Sequence, residues 1–128
     1  MNETKDFVKV REVRDALVLE IDATALNDFE IVNRVADEIE EAMQRSDLTR
    51  VVIDLQHVEM LNSIGLVVFV RTLKYATETG RCIVLCSVNH VVARVLRISR
   101  LAFKDEVGPS HMSIADDVET AVSALESA

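Results

Sequence analysis

Two short apolar runs constrain the fold of this chain most strongly. Val51–Leu55 and Cys82–Cys86 are each five residues long and almost entirely apolar. A strand without a polar face must be covered on both sides, and such strands are typical of parallel sheets flanked by helices. Between the two runs, residues 63–79 carry apolar side chains at helical spacing. This alternation of strand and helix predicts an α/β fold.

The first part of the chain predicts an antiparallel hairpin. Phe7–Val13 alternates apolar and polar residues, Arg14-Asp15 is typical of a tight turn, and Leu17–Ile21 forms a second apolar strand. A hairpin joined to parallel strands makes the sheet mixed. Helices must then cover at least one face of that sheet.

The remaining elements follow from periodicity and capping residues. One further strand is expected, over Ala102–Glu106, followed by a turn at Gly108-Pro109. The expected helices are Phe29–Met43, ended by Ser46-Asp47; Ser63–Thr79, closed by Gly80; a helix capped by Asn89 or Ser87 and running through Ile98; and a last helix that starts at Ser113 or Asp116.

Length and composition predict a single domain over residues 1–128. A chain of 128 residues is the size of one ordinary domain and can build a core without disulfide or metal staples. It contains one proline and three glycines, and no linker, repeat or low-complexity tract divides it.

Charge argues against nucleic acids and membranes as partners. The formal net charge is −8, so the chain repels phosphate backbones and anionic lipid surfaces. The segment Met1–Asp6 lacks the apolar core of a signal peptide, and no apolar run approaches the roughly 20 residues of a membrane span. A cytoplasmic location is therefore expected.

No catalytic or metal-binding constellation emerges, so we expect no enzyme activity, cofactor or metal. Three scattered glycines cannot form a phosphate-binding loop, and no histidine lies beside a nucleophile in a known motif. Cys82 and Cys86 would lie about 13 Å apart on a strand, too far for a disulfide, and are expected to be reduced and structural. The carboxylates of the first helix fall on its solvated face: Asp37, Glu38, Glu40 and Glu41.

The segment that joins Asp54 to Leu66 has the most specific pattern. A buried strand ends near Asp54, a loop crosses, and a helix begins. Asn62 or Ser63 can cap that helix through its side-chain oxygen. Gly65 is unusual in a first helical turn, where glycine costs about 0.5–1 kcal/mol relative to alanine. Its presence indicates a close approach there, either packing beneath the helix or a partner above it.

This segment resembles the signature of STAS domains. In that family an acidic or amide residue precedes a Ser or Thr that opens a helix, with Gly two positions on, as in Asn62-Ser63-Ile64-Gly65-Leu66. Leu96–Phe103 resembles the family's third helix and its exit into the last strand, and Ile114–Ala121 resembles its terminal helix. The resemblance covers nearly the whole chain and implies a mixed β-sheet of about five strands covered by about four helices.

The resemblance implies a regulatory binding protein of the anti-sigma factor antagonist type. In free-standing members, the serine at the position of Ser63 is phosphorylated by a partner that is both a kinase and an anti-sigma factor. The unphosphorylated antagonist binds that partner and frees the sigma factor, and a metal-dependent serine/threonine phosphatase resets the switch. The chain itself is expected to be a monomer or weak dimer. The implied partner-binding residues are Asn62, Ser63, Ile64, Gly65, Leu66 and Asp28.

The chain departs from the family pattern at three positions. Asn62 stands where many members have Asp, Ile64 where a small residue is usual, and Arg100 where Gly is common after Ser99. The first two bear on the choice of partner and the third on helix capping. Asp28 competes with Asp22 for the family's acidic loop position, and Asp28 is also a candidate helix cap.

Two other functions of the same fold remain open. One is a scaffold subunit of a stress-signalling assembly, in which modification of Ser63 changes assembly. The other is a module that binds a small ligand, such as a nucleotide or lipid, without phosphotransfer.

Overall fold

The central feature of the structure, a computed structural model that describes residues 6–104 and 111–127, is a mixed six-stranded sheet. Its strands lie in the order β1-β2-β4-β6-β8-β7, and a separate two-stranded ribbon pairs β3 with β5. The strands are β1 (Val8–Val13), β2 (Ala16–Ile21), β3 (Ala25–Leu26), β4 (Arg50–Asp54), β5 (Met60–Leu61), β6 (Cys82–Cys86), β7 (Ala102–Lys104) and β8 (Met112–Ala115).

Four helices cover this sheet, as the sequence predicts. They are α1 (Phe29–Gln44), α2 (Leu66–Glu78), α3 (His90–Ile98) and α4 (Val118–Glu126). The larger core lies under α1, α2 and α3, and a second, smaller core lies under α4 on the opposite face. Both faces are therefore buried, which explains the unbroken apolar runs of β4 and β6.

The hairpin forms through a two-residue turn. Arg14 and Asp15 have φ angles of 44° and 65°, and Val13 pairs with Ala16. Positive φ at both central positions matches the right-handed twist of the strands that the turn joins. β1 is antiparallel to β2, and every other ladder of the sheet is parallel, so the predicted mixed sheet is confirmed.

The predicted last helix forms, but its predicted start at Ser113 or Asp116 was wrong. Met112–Ala115 is strand β8 and inserts between β6 and β7, which raises the strand count above the five expected. Ser113 is buried in this strand, and α4 begins only at Val118, where the Asp117 side chain accepts a hydrogen bond from the Thr120 N–H. The strand predicted over 102–106 is observed to Lys104; its end and the Gly108-Pro109 turn lie outside the described residues.

Two helix ends have the capping residues that the sequence predicts. Asn89 caps α3 by accepting from the Val92 N–H, and Gly80 follows the C-terminus of α2 with a φ of 72°. At the C-terminal end of α1, Arg81 donates to the carbonyls of Met43, Ser46 and Leu48 at 2.7–3.1 Å. The Met43 carbonyl belongs to the last turn of α1, and the other two lie in the loop that follows the helix.

Candidate functional site

The candidate site is the turn Asn62–Gly65, which lies between β5 and α2. The Asn62 side-chain oxygen accepts hydrogen bonds from the N–H groups of Ile64 and Gly65 at 2.9 and 3.2 Å. The Asn62 carbonyl accepts from the Leu66 N–H at 3.2 Å. Of the two capping candidates, Asn62 therefore caps the turn. The predicted helix start at Ser63 was wrong by three residues, because α2 begins at Leu66 after this turn.

Ser63 lies exposed in the second position of that turn. Its hydroxyl makes no hydrogen bond to any residue that the structure describes. Because Asn62 holds the turn, the Ser63 side chain is not needed for its geometry. The hydroxyl is free to meet another molecule.

Gly65 is buried, and close packing explains why this position is a glycine. A Cβ atom at this position would lie 2.1 Å from the Leu26 carbonyl oxygen and 3.0 Å from the Cβ atoms of Leu26 and Leu61. Real Cβ atoms do not approach other atoms within 3.0 Å. Close packing of the turn on the β3–β5 ribbon is thus the reason for glycine here, whichever partner lies above.

The two apolar residues of the motif are each partly buried in the core and partly exposed. Ile64 and Leu66 are both half-buried and pack against the larger core. Core packing, the alternative weighed for Leu66, therefore accounts for part of each side chain. The exposed remainder stays available for a contact.

The β3–β5 ribbon brings a second loop beside this turn. Leu26 pairs with Leu61, and the Asn62 N–H points to the Leu26 carbonyl at 3.5 Å. Asp28 follows β3 as Asn62 follows β5, so the two loops leave the ribbon side by side. The Asp28 carboxylate accepts from the N–H groups of Glu30 and Ile31, which makes it the N-cap of α1. Its predicted partner contact stays a prediction.

Exposed apolar side chains on this face were missed by sequence reasoning. Phe29 is 64% exposed and Met60 is 46% exposed. Helical periodicity places Phe29 on the buried stripe of α1, and this interpretation was wrong. The first residue of a helix can project past the layer that it covers, and Phe29 immediately follows the cap Asp28.

The surface around the turn is acidic. Residues 22–30 and 57–64 contain Asp22, Asp28, Glu30 and Glu59 and no Lys or Arg. The described residues provide no ion pair for any of these four carboxylates. Farther along the same edge of the sheet, His57 Nε2 lies 2.8 Å from a Glu20 carboxylate oxygen.

The two cysteines and the acidic residues form no metal centre within the described ranges. Both thiols are free, with Cys86 buried and Cys82 half-buried. Burial, reinforced by the nearby Asp54 carboxylate, raises the pKa of Cys86 to about 12. No group of three His, Cys, Asp or Glu side chains in the described part of the chain could hold a metal ion.

The comparison with protein families identifies the fold. The STAS domain model matches residues 7–121. The chain belongs to the STAS domain family. A search of curated proteins finds no match.

Among the described residues, no helix is both long and apolar enough to cross a membrane.

Solved STAS structures share the architecture at low sequence identity. An anti-sigma factor antagonist domain protein from Planctomyces limnophilus is 22% identical, with a TM-score of 0.73, and the match covers 92% of this chain and 96% of that one. RsbS from Moorella thermoacetica is 21% identical, with a TM-score of 0.74 and coverages of 94% and 95%.

A third neighbour is known in two modification states. SpoIIAA of Bacillus in its phosphorylated form is 16% identical, with a TM-score of 0.62 and coverages of 91% and 96%. The same anti-sigma factor antagonist has also been solved in its unphosphorylated form. At these identities the likeness shows a shared fold, that of the anti-sigma factor antagonists.

Proposed function

We propose that this STAS domain is an anti-sigma factor antagonist switched by phosphorylation of Ser63. The unmodified domain binds and sequesters an anti-sigma factor that is also a serine kinase, and phosphorylated Ser63 releases it. A metal-dependent serine/threonine phosphatase restores the binding form. The observation that carries the proposal is the exposed Ser63 hydroxyl, which has no partner among the described residues, in a turn that Asn62 already holds. The proposal includes no catalytic step by this chain.

The domain itself should tolerate a phosphate on Ser63. The phosphoryl group adds about −1.5 to −2 charges at pH 7. It would sit at the front of α2, where the helix dipole stabilises an anion by about 0.3–1 kcal/mol. No described residue covers the hydroxyl, so the modification displaces nothing. The negative charge of the neighbouring carboxylates Asp28 and Glu59 opposes this gain in part.

A partner packed on the same turn would not tolerate the phosphate. Burying an unpaired charge, or placing it against like charge, costs several kcal/mol at an interface. A loss of about 4 kcal/mol weakens binding roughly a thousandfold. The exposed side chains of Phe29 and Met60 provide apolar area for such an interface. The switch therefore acts by blocking contact without unfolding the domain. SpoIIAA has been solved in both its unphosphorylated and its phosphorylated form, and both share the fold of this chain.

The test uses three variants of the full chain. Ser63→Ala should bind a cognate anti-sigma kinase as wild type does, because Asn62 keeps the turn. Ser63→Asp should fold and lose binding by at least about a hundredfold. Ser123→Asp is the matched control, since Ser123 is an exposed serine on α4, on the opposite face of the sheet.

Binding is measured by titration calorimetry against candidate anti-sigma kinases. Phosphorylation is measured by incubation with each kinase and ATP, followed by mass mapping of the modified residue. Equal affinity of Ser63→Asp and wild type for a kinase that phosphorylates the chain would refute the switch. Phosphate found on another residue and absent from Ser63 would refute the site.

A further inference from the structure

Charge is strongly segregated along this chain. Residues 79–104 contain five of its 14 basic residues and none of its 22 acidic ones. The rest of the chain, with nine basic against 22 acidic side chains, has a formal net charge of −13. An acidic protein therefore carries one basic region, centred on α3.

The C-terminal half of α3 presents this positive charge to solvent. Arg94 and Arg97 lie on the helix, Arg100 follows it, and all three are exposed. No ion pair joins them to the part of the chain that the structure describes. Ile98, between these arginines, is 73% exposed, the largest value among the exposed large apolar residues. A single exposed isoleucine is ordinary on a protein surface, and its weight here comes from the arginines and the apolar groove beside it.

The backbone at Arg100 is strained in a way that stability does not explain. Helix α3 ends in a Schellman motif, with the Leu101 N–H bonded to the Leu96 carbonyl and the Arg100 N–H to the Arg97 carbonyl, both at 3.0 Å. Arg100 occupies the left-handed position with a φ of 62°. The arginine does not prevent the cap, but it adopts a left-handed conformation that glycine takes at lower cost.

The equivalent position of α2 shows the unstrained alternative. There Gly80 takes the left-handed conformation, with a φ of 72° and the same pair of hydrogen bonds. A second left-handed arginine, Arg14, is held by ion pairs to Glu119 and Glu126. Among the residues that the structure describes, Arg100 has no such ion pair, and strain of this kind points to a role outside folding.

An apolar groove adjoins the basic cluster. It has a volume of about 430 Å³ and is lined by Val70, Leu73 and Leu101, with Lys74, Thr77 and Glu78 at its rim. Val70 is 51% exposed. We call the surface formed by Arg94, Arg97, Arg100, Ile98 and this groove the basic end.

The face around Ser63 has the complementary character. Asp28, Glu30 and Glu59 provide its charge, and Phe29 and Met60 provide exposed apolar area. We call this surface the acidic end. It lies at the carboxyl edge of the parallel strands, where α2 and α3 begin, whereas the basic end lies where they finish. The nine residues of α3 put the two ends about 13 Å apart along the helix.

We propose that the acidic end of one copy of this chain docks on the basic end of a second copy. Because the two surfaces differ and lie at opposite edges of the domain, the contact is heterologous and head-to-tail. Carboxylates meet guanidinium groups that have no ion pair among the described residues, and Phe29 and Met60 meet Ile98 and the groove. The net charge of −8 on each copy repels the other, so the association is weak and needs high protein concentration.

Other anionic partners fit the basic end less well. Nucleic acid and anionic lipid would both be repelled by the acidic remainder of the chain. The chain has no Trp and one Tyr, so base stacking has little to act on. An acidic protein surface with exposed apolar side chains matches both the arginines and the groove, and the chain itself provides one.

The first experiment is sedimentation velocity of the full chain up to about 1 mM, a concentration that detects association with a dissociation constant as weak as about 1 mM. Wild type should show a sedimentation coefficient that rises with concentration. Arg94→Gln with Arg97→Gln should weaken the association by about tenfold or more. Arg100→Gly should also weaken it, while raising the denaturation midpoint through relief of the left-handed strain. A wild type that stays monomeric throughout, or association unchanged in these variants, would overturn the proposal.

The second experiment mixes two variants that each lack one end. Glu30→Gln with Glu59→Gln removes charge from the acidic end and leaves the basic end intact, and Arg94→Gln with Arg97→Gln does the reverse. Each variant alone should associate about tenfold more weakly than wild type. An equimolar mixture should regain association but stop at dimers, because only one intact interface remains. No recovery in the mixture, or growth beyond dimers, is incompatible with a head-to-tail contact.

Ser63→Asp separates this proposal from the phosphorylation switch. The substitution adds a carboxylate to the acidic end, so self-association should stay equal or strengthen, while kinase binding is lost. Loss of self-association in Ser63→Asp contradicts the head-to-tail contact. The sedimentation results do not depend on whether any kinase is found.

Discussion

Substitution of Gly65 by alanine tests the packing beneath the candidate site. The backbone of Gly65 is right-handed helical, with φ −63° and ψ −26°. In open space, alanine would be preferred over glycine in such a conformation by about 0.5–1 kcal/mol. Geometry reverses that sign, because the new methyl group would lie 2.1 Å from the Leu26 carbonyl oxygen. That atom belongs to the backbone, so no side-chain rotation can relieve the contact.

The magnitude follows from the movement required. To bring the contact to 3.0 Å, the turn must move off β3 by about 0.9 Å, the difference between the two distances. Overpacking of a well-packed site costs about 1–3 kcal/mol, and occasionally more. The shift also weakens the bond between the Asn62 N–H and the Leu26 carbonyl, adding roughly 0.5–1.5 kcal/mol. We expect Gly65→Ala to lower the free energy of unfolding by about 2–4 kcal/mol.

Urea denaturation followed by circular dichroism measures this change, with Gly80→Ala as the matched control. Gly80 has no atom within 4 Å of its missing Cβ, but its φ is 72°. Alanine there should cost only the left-handed penalty of about 1–2 kcal/mol. A Gly65→Ala protein as stable as wild type, or more stable than Gly80→Ala, would refute the close approach of the turn to β3.

Three other predictions concern contacts away from the site. Arg81→Ala removes three bonds to the carbonyls of the last turn of α1 and the loop after it, and should cost about 2–3 kcal/mol in urea denaturation; Arg45→Ala, whose side chain is 82% exposed in its ion pair, should cost under about 0.5 kcal/mol, and equal losses would contradict the role of Arg81. Glu38→Ala strips the acceptor from two backbone N–H groups at the start of β1 and should cost about 1–3 kcal/mol by the same assay, while Glu38→Gln keeps most of that stability; equal effects would show that the acceptor is unimportant. The pKa of Cys86 is raised from 9.0 to about 12 in the folded state, so the unfolded state ionises first and the free energy of unfolding should fall as pH rises from 9 to 12. Cys86→Ala should flatten this fall. Iodoacetamide at pH 9 should modify Cys82 before Cys86.

Patterns that depend on local sequence predicted most of the fold. The apolar runs of β4 and β6 were buried on both faces, and the Asn89 cap and Gly80 terminus were found where expected. These signals need only the residues within one or two turns. The mixed sheet followed from the hairpin and the apolar strands, whereas the STAS family came from a resemblance in the Asn62–Leu66 motif and in the order of elements.

Tertiary context decided the features that local patterns missed. Met112–Ala115 is a strand because β6 and β7 flank it on both sides, although its sequence also suits the start of a helix. The two-residue strands β3 and β5 are too short to leave a periodic signal, yet they place the loops of Asp28 and Ser63 together. Pairing between segments 35 residues apart is not encoded in either segment alone.

The candidate site, like the fold, could be predicted only in part from local sequence. A hydroxyl at a helix entrance, an amide cap and an unusual glycine were all predictable from five consecutive residues. The choice of Asn62 as the cap, the packing of Gly65 and the exposure of Phe29 depend on β3 and β5 and needed coordinates. Partner contacts of these residues stay predictions.

The single helix on the second face of the sheet has a consequence for biosynthesis. Val18, Val52 and Val84 are almost completely buried there, in the small core that α4 completes. Translation proceeds from the N-terminus. When residues up to Asp117 have emerged from the ribosome, α4 is still missing and these valines are exposed as an apolar stripe. We expect nascent or prematurely terminated chains at this stage to be prone to aggregation and to need chaperones.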